Sequence, residues 1–132
     1  MNYKSTRSNN CAPVSAAQAI KIGLAPDGGL FMPESIPTLS KDEVLSLCEM
    51  SYPQRAATVL SKYLSDYSYE ELLKDASDAY SEERFPGGAA PIHPIDEKVT
   101  ALELWHGPTA AFKDMALQIM PRLLSRALQK TG

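Results

Sequence analysis

Three Ser-x-x-Gln/Glu strings, at residues 15–18, 40–43 and 68–71, constrain this chain more than any other feature. In each, the serine hydroxyl and the Gln or Glu three positions on can satisfy backbone N–H groups that a helix start leaves unpaired, so each string marks where a helix begins. The first opens a short helix to about Ile22, where Gly23 can take a left-handed C-cap. The second carries Val44, Leu45, Leu47 and Cys48 as an apolar face. Pro53 suits the first turn of a further helix, in which Ala56, Val59, Leu60, Tyr63 and Leu64 recur at helical spacing. The third string opens a helix through Leu72, Leu73, Ala76 and Tyr80. Around the first helix, residues 3–6 read as a brief strand. Ala25-Pro26-Asp27-Gly28-Gly29 reads as a turn into Leu30-Phe31-Met32, stopped by Pro33.

The character changes at Phe85. Phe85-Pro86-Gly87-Gly88-Ala89-Ala90-Pro91 is a Pro/Gly-rich connector, and a domain boundary is expected there. Residues 99–105 are rich in β-formers and read as a strand, His106-Gly107-Pro108-Thr109 as a turn, and residues 111–129 as a long helical pattern. Pro121 inside that pattern predicts a kink or a break into two helices. The expected architecture is α/β overall: a mainly helical part with short strands, then a single strand–helix unit. One such unit is not a sheet, and its strand needs neighbours that the chain does not supply after Gly132.

Composition narrows the function classes. The 132 residues, 44% hydrophobic and 22% charged, suffice for one compact core and fit neither a disordered nor a membrane chain. A net charge of −3 excludes the broad basic footprint of a general nucleic-acid binder. No apolar run approaches the roughly 18–20 residues that span a bilayer. The N-terminal stretch MNYKSTRSNN is too polar for a secretory signal, so a cytoplasmic chain is expected. Cys11 and Cys48 form no CxxC and are expected to be free thiols, and His93 and His106 lie in a stretch without Cys, so no metal site is expected.

The strand-to-helix turn is where chemistry can sit. Lys113 falls in the first turn of the expected helix, where the positive end of the macrodipole disfavours a cation. Partial burial among Ala110, Ala111 and Phe112 would favour the neutral amine further, and only a neutral amine is a nucleophile or a proton acceptor. Asp114 partly offsets the cation. With one glycine and no GxxxxGK[ST] spacing, residues 107–113 are not a phosphate loop, and a solvated surface lysine stands as the alternative reading. The pairs Gly28-Gly29 and Gly87-Gly88 read as turns. Thr109 is placed as the helix N-cap, with a contact to substrate as the alternative. His106 either orients the turn, donates to a substrate or cofactor oxygen, or bonds the backbone at the strand end. Phe112 packs beside a ligand or staples the helix to the sheet. Asp27, Gly28 and Gly29 form either a lip over the site or an ordinary tight turn, and Arg7 binds an anion or makes a structural ion pair.

The string Leu102-Glu103-Leu104-Trp105-His106-Gly107-Pro108-Thr109-Ala110-Ala111-Phe112-Lys113-Asp114-Met115-Ala116-Leu117-Gln118 resembles the L-E-L-F-H-G-P-T-x-A-F-K-D-x-A-L-Q signature of the threonine synthase family, with Trp105 where the family has Phe. Tyr3-x-Ser5-Thr6-Arg7 and Gly23-Leu24-Ala25-Pro26-Asp27-Gly28-Gly29-Leu30-Phe31-x-Pro33 resemble its opening motifs, in the same order. The resemblance implies a lyase of the tryptophan-synthase-β-like fold (fold type II), with pyridoxal 5'-phosphate as cofactor. Such an enzyme converts O-phospho-L-homoserine and water to L-threonine and phosphate in threonine biosynthesis. By that resemblance Lys113 is the catalytic lysine that holds the cofactor as an internal Schiff base and later moves the α-proton.

It also implies a division into residues 1–84 as the family's N-terminal domain, 85–98 as connector, and 99–132 as the start of the catalytic domain. The Gly/Ser/Thr-rich loop for the cofactor phosphate and most substrate-phosphate ligands would lie downstream. The 132-residue chain alone is therefore expected to be inactive, and to self-associate through exposed apolar surface. The competing reading is a short, non-catalytic binding or interaction module. The intact lysine motif argues against it, because such a module has little physical use for a lysine at a helix start.

Overall fold

The helix starts are where the serines put them. In the computed structural model, which describes residues 1–7 and 11–132, Ser15, Ser40 and Ser68 cap α1 (Ala16–Ile22), α2 (Lys41–Cys48) and α4 (Tyr69–Ala79). The end of the polar N-terminal stretch, residues 8–10, lies outside the described residues. Each cap serine hydroxyl accepts from the N–H three residues on at 3.2 Å, and the Gln or Glu there accepts from the serine N–H in return. Ser51 and Gln54 open α3 (Tyr52–Tyr63) differently, Gln54 Oε1 accepting from both the Ser51 N–H (2.8 Å) and its hydroxyl (2.9 Å), with Pro53 in the first turn. Gly23 closes α1 at φ 75°, but its ψ of −74° lies outside the left-handed helical basin.

β1 (Asn2–Ser5) is the centre of a three-stranded antiparallel sheet, with β2 (Val14–Ser15) on one side and β3 (Phe31–Pro33) on the other. Tyr3 pairs with Val14 and Pro33, and Ser5 with Phe31. Pro33 sits on an edge strand, where its missing N–H costs no ladder bond.

The second half differs from expectation in one element. Residues 99–105 do not make one long strand without a partner. β5 is only Thr100–Leu102, and it pairs antiparallel with β4 (Ile92–Pro94), which lies inside the stretch read as connector. The cause is local: Asp96 Oδ1 accepts from the N–H groups of Lys98 (2.7 Å) and Val99 (2.8 Å), folding the chain back. As expected, the helical pattern around Pro121 breaks in two, into α5 (Asp114–Leu117) and α6 (Met120–Thr131), with Pro121 in the first turn of α6.

The core is built across the whole chain. Ala16 and Ala17 of α1, Ala57 of α3, Leu72 and Ala76 of α4, and Leu123 and Ala127 of α6 form one buried cluster with Tyr67 and Ile119. Alanines at these contacts allow close helix approach, and α3 packs on α4 as α1 packs on α6. The C-terminal helix thus shares its core with helices that precede Phe85. α2 departs from expectation. Its residues are unburied, and Val44 and Leu45 face solvent because no element among the described residues lies over them; Arg55 ties the helix down through the carbonyls of Leu47 and Cys48. A second exposed apolar set, Ile92, Ile95, Val99, Leu102 and Trp105, lies on and around the hairpin. No helix among the described residues is long and apolar enough to cross a membrane. Cys11 and Cys48 are free, and the described residues contain no His/Cys/Asp/Glu group placed to hold a metal ion.

Candidate functional site

From β5 the chain runs through Glu103 and His106 into the turn at Gly107 and reaches α5 at Asp114. Three anchors hold this passage. His106 Nδ1 faces the carbonyl oxygen of Pro86 at 3.1 Å and Nε2 faces Glu103 Oε2 at 2.6 Å. Both neighbours are acceptors, so both ring nitrogens donate and the imidazolium form is favoured. The Glu103 hydrogen bond, followed by that to Pro86, raises the His106 pKa above 6.5. His106 is therefore a clamp between the connector and the turn, with no ring nitrogen left for a substrate.

This clamp sets a pH dependence. The folded pKa lies above the unfolded one, so the stability it contributes is fully present below about 6.5 and is lost as pH rises through the folded value. NMR titration of the His106 ring is expected to give a midpoint above 6.5, and Glu103→Gln to bring it down. A wild-type midpoint at or below 6.5 would mean that the carboxylate does not hold the ring.

The second anchor is Asp114, which is fully buried. Its Oδ2 accepts from the Thr109 N–H at 2.8 Å and from the Thr109 hydroxyl at 2.9 Å. Thr109 is therefore not the helix N-cap that was expected; it lies five residues before α5 and is latched to the helix's first residue. Ala110, inside the latched loop, is the one non-glycine residue at positive φ (56°) among those described, a conformation that costs about 1–2 kcal/mol for an L-residue. The third anchor comes from the helical lobe. Tyr80 Oη donates to the Met115 carbonyl at 2.8 Å, and Arg84 Nη1 donates to Gln118 Oε1 at 2.7 Å. Burial pushes the Tyr80 pKa up to about 12, so this donor keeps its proton.

Lys113 sits at the N-cap of α5 with φ −62° and ψ −23°. Two expectations about it need correction. It is exposed rather than half-buried, and the helix it precedes has four residues, too short for a developed macrodipole. Phe112 is 71% exposed, so it does not staple the helix to the sheet. Among the described residues the Lys113 amine has no hydrogen-bond or ion-pair partner. Lys4, Lys62 and Lys130 by contrast are paired with Glu34, Glu43 and Glu71. An accessible, unpaired primary amine, with an exposed aromatic side chain at the preceding residue, is a donor set that suits an aldehyde-bearing aromatic cofactor.

The glycine turn after α1 is a tight local structure. Asp27 Oδ1 accepts from Ser5 Oγ at 2.6 Å and from the Gly29 N–H at 2.9 Å, and Gly28 takes φ 77°. The Arg7 guanidinium lies over Gly28, where an added Cβ would stand 3.2 Å from Nη1. The apolar cavity of about 320 Å³ near this turn, lined by Tyr3, Ala19, Ile20, Phe31, Met32 and Met120 among others, includes neither Lys113 nor His106. Sequence reading missed the clamps Glu103, Asp114, Tyr80 and Arg84. Only Glu103, three residues before His106, left a local signal.

Solved structures carry the same fold. Pyridoxal-phosphate-bound threonine synthase from Brucella melitensis superposes with a TM-score of 0.89 at 32% identity, covering 98% of this chain and 28% of that one. Threonine synthase from Escherichia coli gives 0.86 at 30% identity, covering 97% and 28%. A capped helical lobe leading into a lysine-bearing strand–turn–helix is thus the opening portion of an α/β pyridoxal-phosphate enzyme fold. The family profile described as "Threonine synthase N terminus" matches residues 2–80. The threonine synthase of Pseudomonas aeruginosa is 33% identical over 136 aligned positions, covering 100% of this chain and 28% of that protein. The chain belongs to the threonine synthase family, and it spans little more than a quarter of the length of these relatives.

Proposed function

We propose that this chain is the amino-terminal part of a threonine synthase that converts O-phospho-L-homoserine and water to L-threonine and phosphate. The carrying observation is the unpaired, accessible Lys113 amine held at the end of a thrice-anchored turn, within a signature string that continues through Gln118. The Lys113 amine would hold pyridoxal phosphate covalently and Phe112 would lie beside its ring. The cofactor, when bound, supplies an electron sink for a carbanion next to the amino group. Lys113 Nζ, when neutral and released, takes up and returns protons, which requires it to stay free of ion pairs. Residues 1–84 serve as the N-terminal domain, 85–98 as connector, and 99–132 as the beginning of the catalytic domain. The shared core makes that boundary one of role rather than of packing. The 132-residue chain alone turns over no phosphohomoserine in this reading, because the phosphate-binding groups belong to later residues.

The test is site-resolved capture. The chain is incubated with limiting pyridoxal phosphate, reduced with borohydride and peptide-mapped. Lys113 is expected to carry about fivefold more label than the lysines Lys41, Lys74 and Lys98, the size of effect one aromatic contact gives. Phe112→Ala should remove most of that preference and Lys113→Ala the labelled peptide itself. Label spread evenly over these four lysines would sink the assignment.

A further inference from the structure

We propose that Asp114 is the positioning residue of Lys113, acting through Thr109 to hold the 107–113 turn in the one shape that presents the amine; this rests on the assignment of Lys113 above. The carboxylate closes a ring of six residues. Its Oδ2 takes both the backbone N–H (2.8 Å) and the hydroxyl (2.9 Å) of Thr109, and Lys113 is the last residue inside that ring. The ring contains Ala110 at φ 56°, a shape an L-residue adopts only when its surroundings hold it there. Gly107 stands against the same carboxylate, so closely that a Cβ on it would lie 2.6 Å from Oδ2. A turn that has given up its side chain at 107, accepts a left-handed alanine at 110 and buries a carboxyl group at 114 has been shaped around that group.

The partnering is also lopsided. Oδ1 of Asp114 is buried without a hydrogen-bond partner among the described residues, while Oδ2 takes both bonds. An orphaned buried acceptor is costly, and here it is tolerated at the residue adjoining the amine. The function of the carboxyl group thus lies in Oδ2 and the shape it imposes. An asparagine, whose single carbonyl oxygen can accept the same two hydrogens, should replace it.

Two readouts on the 132-residue chain test this: amide hydrogen exchange at residues 109–113 by NMR, and borohydride-trapped labelling of Lys113. Asp114→Ala is expected to speed exchange of the Thr109 amide at least about tenfold and to abolish the preference for Lys113, because a freed amide exchanges with its local opening. Asp114→Asn is expected to restore both. If Asp114→Ala does not fold, Thr109→Val carries the test, since it removes one of the two bonds at nearly constant volume; both readouts should then move part of the way. Exchange unchanged in the variants, or a preference for Lys113 that survives loss of the latch, overturns the proposal. A wild-type chain with no preference for Lys113 overturns the lysine assignment instead, and the exchange rates still decide whether Asp114 holds the turn.

Discussion

Arg126→Met is expected to lower the unfolding free energy by about 3 kcal/mol, seen as a fall in the denaturant midpoint with little change in slope. Arg126 on α6 donates through Nε and through Nη2 (2.9 Å) to the two carboxylate oxygens of Asp75 on α4. Its Nη1 lies 3.5 Å from Glu71, which also meets Lys130 at 2.9 Å. Beneath the pair, Tyr67 Oη donates to the Leu123 carbonyl at 3.0 Å. The two partners are unequal. The Asp75 side chain is 8% exposed, whereas the Arg126 side chain is 21% exposed. Removing the arginine leaves a largely buried carboxylate without its main partner. Removing the carboxylate leaves a guanidinium that still reaches both solvent and Glu71. Asp75→Asn should therefore cost less, about 1–2 kcal/mol, and the double variant less than the sum of the singles. Chemical denaturation of the four proteins gives the cycle, and an arginine variant milder than the aspartate variant would sink this account of the asymmetry.

The pair also bears on why some of the fold could be read from sequence and some could not. A cap is local chemistry: Ser40 and Glu43 are three residues apart and satisfy each other, so the start of α2 needed no knowledge of anything else. What covers α2 is not local. Val44 and Leu45 have the spacing of a core-facing stripe, and spacing says which side is apolar without saying whether an element lies over it. The same limit hid β4, whose pairing with β5 depends on Asp96 folding the chain between them, and hid the Asp75–Arg126 contact across 51 residues. At the site, Lys113 stood out because a cation before a helix runs against local preference. Asp114 beside it read as an ordinary helix-start acid, and its burial becomes visible only once Thr109 and Gly107 are placed around it. His106 was legible as a residue of interest and not as a clamp, because Pro86 is twenty residues away.

Gly107→Ala is expected to cost about 3 kcal/mol and to erase the selective capture of pyridoxal phosphate by Lys113. The cause is space. A Cβ at 107 would stand 2.5 Å from the Asp114 Cβ, 2.6 Å from its Oδ2 and 2.9 Å from its Cγ. Asp114 is fully buried and tied to Thr109, so its side chain has nowhere to swing. Either the turn backbone shifts or the carboxylate leaves, and the second course strands the Thr109 donors. Both displace the residues that lead to Lys113. Gly88→Ala is the instructive control. Gly88 has φ 103° but no atom within 4 Å of an added Cβ, so alanine there meets backbone strain alone, about 1–3 kcal/mol, and leaves the Lys113 turn intact. Thermal unfolding and labelling of the two variants separate strain from collision. If Gly107→Ala kept the wild-type label at Lys113 while losing stability, the turn would tolerate displacement of the latch, and the close approach of Gly107 to Asp114 would serve packing rather than the placement of the amine.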